Sequence, residues 1–91
     1  MKATKIKMKT GCSTSNNLLE IDSIYITGCS NEGYFQKAVL HDYIKENPRS
    51  IQVNIYPYPN IIPALSVYGE KYVKSANNST TTDNLLNLPR E

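Results

Sequence analysis

Apolar and polar positions alternate with two different periods along this 91-residue chain, and each change of period marks an element. Over residues 18–27 the run Leu-Leu-Glu-Ile-Asp-Ser-Ile-Tyr-Ile-Thr puts Ile24 and Ile26 on one face and Tyr25 and Thr27 on the other. A two-residue period carried by β-branched and aromatic side chains predicts a strand, which Gly28 ends. Over residues 31–46 the period lengthens. Val39, Leu40, Tyr43 and Ile44 recur at helical spacing with Phe35 at the edge of the stripe, while Lys37, His41, Asp42 and Lys45 point away. This predicts the main helix, capped by Ser30 or Asn31, with Glu32 in its first turn and Pro48 at its end. Residues 51–56 return to strict alternation, Ile51, Val53 and Ile55 against Gln52, Asn54 and Tyr56, which predicts a strand with one buried and one wet face.

Tyr56-Pro57-Tyr58-Pro59 and Pro63 exclude a central strand, because proline donates no ladder hydrogen bond; the segment reads as a stiff loop or an edge. Leu65–Val67 and Lys71–Lys74 pair as a hairpin around Tyr68-Gly69-Glu70. Residues 75–84 are a polar loop by composition, and Asp83 can cap one helical turn before Leu85, Leu86 and Leu88. Those leucines are expected to dock on the body as a C-terminal hook. The predicted fold class is α+β, one main helix on a three- to four-stranded, mainly antiparallel sheet.

Composition adds a division of the chain. Lys2, Lys5, Lys7 and Lys9 fall within the first nine residues, whereas residues 10–91 carry six basic and eight acidic side chains. The N-terminal stretch 1–17 therefore reads as a flexible basic arm, with Ile6 and Met8 allowing at most a short edge strand. Residues 18–91 read as a single domain. A slightly acidic body is a poor phosphate surface, so nucleic acid is not the expected partner, and the arm reads as solubilising. No apolar run approaches the roughly 20 residues that a bilayer requires, and no apolar core follows the N-terminal lysines as in a secretory signal. A cytoplasmic protein is the expectation. Asn, Ile and Lys supply 27 residues, which suits an AT-rich bacterial or phage genome.

The chain has two cysteines, Cys12 and Cys29, and no paired Cys spacing. A cytoplasmic chain keeps both reduced. No metal-ligand spacing and no cofactor motif is present, so no metal and no cofactor are expected. Asn77 and Asn78 each open a glycosylation sequon, which reads as chance in a polar loop.

The ending Lys71-Tyr72-Val73-Lys74-Ser75, a polar loop, then Thr82-Asp83-Asn84-Leu85-Leu86-Asn87-Leu88-Pro89 resembles that of a family of short prokaryotic and phage proteins, the domain of unknown function numbered thirty-eight ninety-two. The likeness runs in order over residues 21–89 and is most specific over the last stretch. The chain differs from the family pattern in its Pro/Tyr segment at 56–63, its basic N-terminus and Lys74, where arginine is frequent. The resemblance implies the domain's extent and carries no mechanism.

Three sets of residues could carry function. Seven tyrosines with no tryptophan form an unusual aromatic set, and Tyr56, Tyr58 and Tyr68 at turns and loop ends suit a recognition surface. The junction Gly28-Cys29-Ser30-Asn31 joins a strand to a helix start, where backbone N–H groups attract anions; Lys71, Tyr72 and Lys74 could add charge and stacking for a small anion or a nucleotide signal. The same field would make Cys29 a nucleophile, although His41 lies about 18 Å away along a continuous helix and reads as solvated. The plain reading of that junction is a tight turn with an inert thiol. No catalytic set is complete. The chain is expected to be a non-catalytic binding module working through its tyrosines, with a protein partner or a second copy of itself favoured over a small ligand.

Overall fold

The computed structural model describes residues 1–76 and 83–91 of the chain. Its first strand, β1 (Lys2–Met8), lies inside a four-stranded sheet rather than outside the body. β2 (Ile21–Thr27) runs antiparallel along one side of it, and β3 (Gly33–Gln36) pairs antiparallel with the far edge of β2. On the other side β4 (Gln52–Val53) pairs in parallel, giving the order β3-β2-β1-β4. The expected basic arm is therefore corrected over its first half. Ala3 and Ile6 are fully buried and Met8 nearly so. Their spacing of three and then two residues hid the strand, because the register with β2 shifts between Ala3 and Lys5, where β1 carries an extra residue. A bulge inserts one residue and moves the buried positions out of step with a simple alternation.

The sheet puts Ala3, Ile6, Ile24, Ile26 and Val53 into one core with Leu40, Ile44, Ile61, Val73, Leu85, Leu86 and Leu88. The helix α1 (Lys37–Glu46) starts six residues later than its periodicity suggested. Gly33-Tyr34-Phe35-Gln36 continues the sheet instead, with Tyr34 opposite Tyr25 and Phe35 opposite Ile24. An open edge on β2 and two aromatic residues favour strand over helix there. Neither Ser30 nor Asn31 caps the helix; Gln36 occupies that place without a side-chain cap.

The helix also turns a different face inward. Lys37, Leu40, His41 and Ile44 are buried, while Val39 and Tyr43 are 53% and 41% exposed. Half of the expected stripe therefore faces outward. The cause is a second sheet, the hairpin of β5 (Ile61–Leu65) and β6 (Lys71–Ser75), which α1 contacts more extensively than it contacts the larger sheet. His41 is not solvated; its Nδ1 lies 3.0 Å from the Tyr72 carbonyl oxygen. Lys37 meets Glu70 at 3.0 Å where β6 begins.

β5 begins earlier than the hairpin expectation and includes Pro63, which a two-stranded sheet with free edges accommodates. The Ser66 hydroxyl accepts from the N–H groups of Tyr68 and Glu70 and fixes the turn. The strand expected over 51–56 is reduced to two residues but keeps its alternation, with Ile51 and Val53 buried and Asn54 and Tyr56 exposed. After β6, the expected polar loop lies mostly outside the described residues, as do both sequon asparagines. Asp83 accepts from the N–H and hydroxyl of Ser75 and from the Leu85 N–H, at the start of a short 3-10 helix over Asn84–Asn87. The chain then runs beside β1: Ile6 N–H donates to Pro89 O at 2.9 Å and Glu91 N–H to Ile6 O at 3.1 Å. One helix packed against a mixed four-stranded sheet, with a small two-stranded sheet beside it, makes the class α+β.

Candidate functional site

Alternate residues of β1 and β2 face away from the core, and they form the most distinctive chemical surface of the described residues. Lys5 pairs with Tyr25, which pairs with Tyr34 on β3, so the three cross the sheet in a row. The Lys5 ammonium sits 4.8 Å from the centre of the Tyr25 ring, and the Tyr25 and Tyr34 rings meet edge to face at 5.1 Å. Such contacts hold an amine over the negative face of one ring and the edge of a second ring against it. A second group repeats the chemistry beside β4. The Lys2 ammonium lies 4.6 Å from the centre of the Tyr58 ring, and Tyr58 meets Tyr56 edge to face at 6.0 Å. Lys7 is exposed one alternation beyond Lys5.

Glu91 reaches onto this surface. Its carboxylate lies 3.2 Å from the Lys5 ammonium. The Tyr34 hydroxyl, and after it Lys5, hold the Glu91 carboxyl below its ordinary value. Burial first, and then hydrogen bonding with the Glu91 carboxylate, push the Tyr34 phenol up. That hydroxyl is shielded from solvent, and the carboxylate it faces lies outside ordinary hydrogen-bond geometry. Lys5 and Tyr34 thus form a seat for an anion, taken here by a carboxylate of the same chain.

The tyrosines singled out in the sequence do not lie together. Tyr56 and Tyr58 precede β5, whereas Tyr68 follows it, so a strand of about 17 Å separates them. Tyr68 is 96% exposed at the hairpin tip beside Val67, at 94%. Tyr25 and Tyr34, absent from the recognition surface expected from the sequence, stand on this outer face, on β2 and the edge strand β3. The signal for them is the pairing of Lys5 with Tyr25, which is invisible while the lysines read as an arm.

The junction at residues 28–31 loses its premise. It leads into a strand, so no helix start lies there to attract an anion. Gly28 serves the backbone: its φ is +85°, and an added Cβ would come within 3.3 Å of the Met1 Cα. Its N–H already donates to the Glu32 carboxylate at 2.8 Å. Cys29, Ser30 and Asn31 instead border an open cavity of about 300 Å³ whose walls include Phe35, Val39 and Tyr43. Lys71, Tyr72 and Lys74 lie on β6 and do not line it. Lys71 is engaged with Asp42 at 2.8 Å and Tyr72 gives its carbonyl to His41, while Lys74 is exposed. The two halves of the sequence-derived ligand site are therefore separate.

Both cysteines are free thiols. Cys12 donates to Glu20, and that hydrogen bond, then burial, pushes its thiol up, away from the nucleophilic thiolate. Glu20 also accepts from the Ser15 hydroxyl, and Arg90 donates to the Ser13 and Ser15 carbonyls, so this cluster ties loop to terminus. Among the described residues no three His, Cys, Asp or Glu side chains gather as a metal site would require. No described helix is long and apolar enough to cross a membrane.

A model of the family described as "Protein of unknown function (DUF3892)" matches residues 2–89. The chain belongs to that family, and the match takes in β1 as well as the closing segment. No curated protein and no solved structure matches the chain.

Proposed function

We propose that this family member is a non-catalytic binding module that works through the tyrosine-bearing face of its four-stranded sheet. One observation carries the reading: two lysine-over-tyrosine groups, Lys5–Tyr25–Tyr34 and Lys2–Tyr58–Tyr56, stand on rigid strands or beside them. Side chains on strands are held more firmly than side chains on loops, so the Lys5–Tyr25–Tyr34 group costs little to order on binding. Tyrosine adds wide contact area with few rotors.

The test is a pair of alanines, Tyr25→Ala with Tyr58→Ala, in otherwise intact protein. Immobilised wild type and variant are exposed to extract of the source cells, and bound protein and nucleic acid are both quantified. Loss of the specifically bound material, with far-UV circular dichroism unchanged, supports the reading. Full retention by a folded double variant ends it.

A second reading rests on the cavity bordered by Cys29, Ser30 and Asn31. Its volume is near the lower end for small-molecule sites, and its walls are mainly apolar. It suits a small apolar ligand better than the anion that the sequence suggested. Val39→Trp fills the mouth, and a ligand-induced thermal shift that survives this change would place the ligand elsewhere.

A further inference from the structure

We propose that the open sheet face binds single-stranded nucleic acid, with bases on the Tyr25–Tyr34 and Tyr56–Tyr58 pairs and phosphates on Lys2, Lys5 and Lys7. This rests on the binding-module reading and names its ligand class. Lysines on a loose arm outside an acidic body would make a poor phosphate surface, but Lys2, Lys5 and Lys7 lie on one strand of the sheet, Lys2 over the Tyr58 ring and Lys5 over the Tyr25 ring. That mixture separates two kinds of partner. The centre of a protein–protein interface is depleted in lysine. A single-strand site interleaves flat aromatic platforms with cations that follow the backbone. Lys5 and Lys7 stand two residues apart along β1, or about 6.6 Å, which suits successive phosphates of an extended strand.

The contact of Glu91 with Lys5 and Tyr34 shows where a phosphate would sit. The Lys5 ammonium lies 3.2 Å from the Glu91 carboxylate, and the shielded Tyr34 hydroxyl faces that carboxylate outside ordinary hydrogen-bond geometry. A phosphate oxygen would accept from both the ammonium and that phenol. Glu91 is thus an internal competitor for the phosphate. Asp22, exposed at the bulge in β2, is a further carboxylate near these lysines. With two acidic groups beside three lysines, affinity is modest and steeply salt-dependent. Stacking and phosphate contacts do not read the sugar, so DNA and RNA strands bind alike, and a duplex, whose bases are already stacked, binds less well.

The test is fluorescence anisotropy of the full chain with labelled twenty-nucleotide oligo-dT and oligo-U and a duplex of equal length, at 50 and 200 mM salt. Expected is a Kd on the order of 10–100 µM for either single strand at the lower salt. Tyr25→Ala and Tyr58→Ala should each weaken it by about five-fold or more. Lys2, Lys5 and Lys7 all changed to alanine should reduce the salt slope by about two units. Glu91→Gln should tighten binding up to about five-fold, a gain that a misfolded variant cannot produce. No single-strand binding at 50 mM salt overturns the proposal. So does stronger duplex binding, or binding that the face variants leave unchanged. If oligonucleotides fail while the double tyrosine variant still loses its partner from extract, only the nucleic-acid assignment falls.

Discussion

The two faces of the four-stranded sheet come from the same strands and share almost no chemistry. On the inner face Ala3, Ile6, Ile24, Ile26 and Val53 are each at most 1% exposed. On the outer face the neighbouring residues are Lys2, Lys5, Lys7 and Tyr25, partly or fully in water. Burial of each isoleucine stabilises the fold by about 1.5–3 kcal/mol, whereas the lysine–tyrosine contacts outside are worth about 1 kcal/mol or less apiece. Core packing and the lysine–tyrosine surface are therefore divided between the two faces of the same strands. A single step along β2, from Ile24 to Tyr25, passes from one face to the other.

The sharpest way to break this comparison is to remove the strand that carries both faces. Deletion of residues 1–8 should abolish the cooperative unfolding transition in thermal circular dichroism, because β1 separates β2 from β4. A variant that melts like the full chain would restore the arm interpretation. The next effect is set by parity. Ile24→Ala should cost about 2–5 kcal/mol in urea denaturation. Tyr25→Ala, one residue on, should cost about 1.5 kcal/mol at most, the worth of an aromatic pair. Similar losses at the two positions would mean that the outer face is structural.

Inner positions were legible where their spacing was regular and illegible where a bulge interrupted it. Ile24 with Ile26, and Ile51 with Val53, follow a plain alternation, and each lies on the face that alternation assigns. Ala3, Ile6 and Met8 belong to the same core, but the register shift between Ala3 and Lys5 spoils their period, and the lysines between them mask it. Local pattern also cannot show what a second sheet will cover. The buried face of α1 is decided by the hairpin, which draws in Lys37 and His41 and leaves Val39 and Tyr43 outside. The candidate site suffers most from this. Its tyrosines were countable in the sequence, yet which of them share a surface is fixed by pairings such as Lys5 with Tyr25 and Tyr25 with Tyr34.

A smaller effect concerns what closes the inner face. Leu85, Leu86 and Leu88 are buried, and Asp83 ties the segment that carries them to Ser75 on β6. The Asp83 carboxylate meets the Leu85 N–H as a helix cap does. Asp83→Ala should therefore cost about 1–2 kcal/mol in denaturant unfolding. Asn at this position keeps one acceptor and should recover part of the loss. Because the outer face takes no part in this tie, ligand binding per folded molecule should be unchanged in both variants.

The smallest effect compares one ion pair from each side. Glu70 is held low first by Lys37 and then by Lys9, and Glu91 first by Tyr34 and then by Lys5. On unfolding both carboxyls return to their ordinary value, so the unfolded chain binds protons more readily. Their contribution is whole above that value and is lost as pH falls through the lower folded one. Stability measured from pH 7 to pH 3 should decline at the acid end, and Glu70→Gln and Glu91→Gln should each flatten the decline. The Lys37 side chain is 11% exposed and the Lys5 side chain 41%. Solvent and salt screen the second pair more, so Glu70→Gln should flatten the acid limb further, and 0.5 M salt should reduce the Glu91→Gln difference the more strongly. Equal flattening by the two variants, at low and high salt alike, would show that the pair at the buried lysine gains nothing from its position.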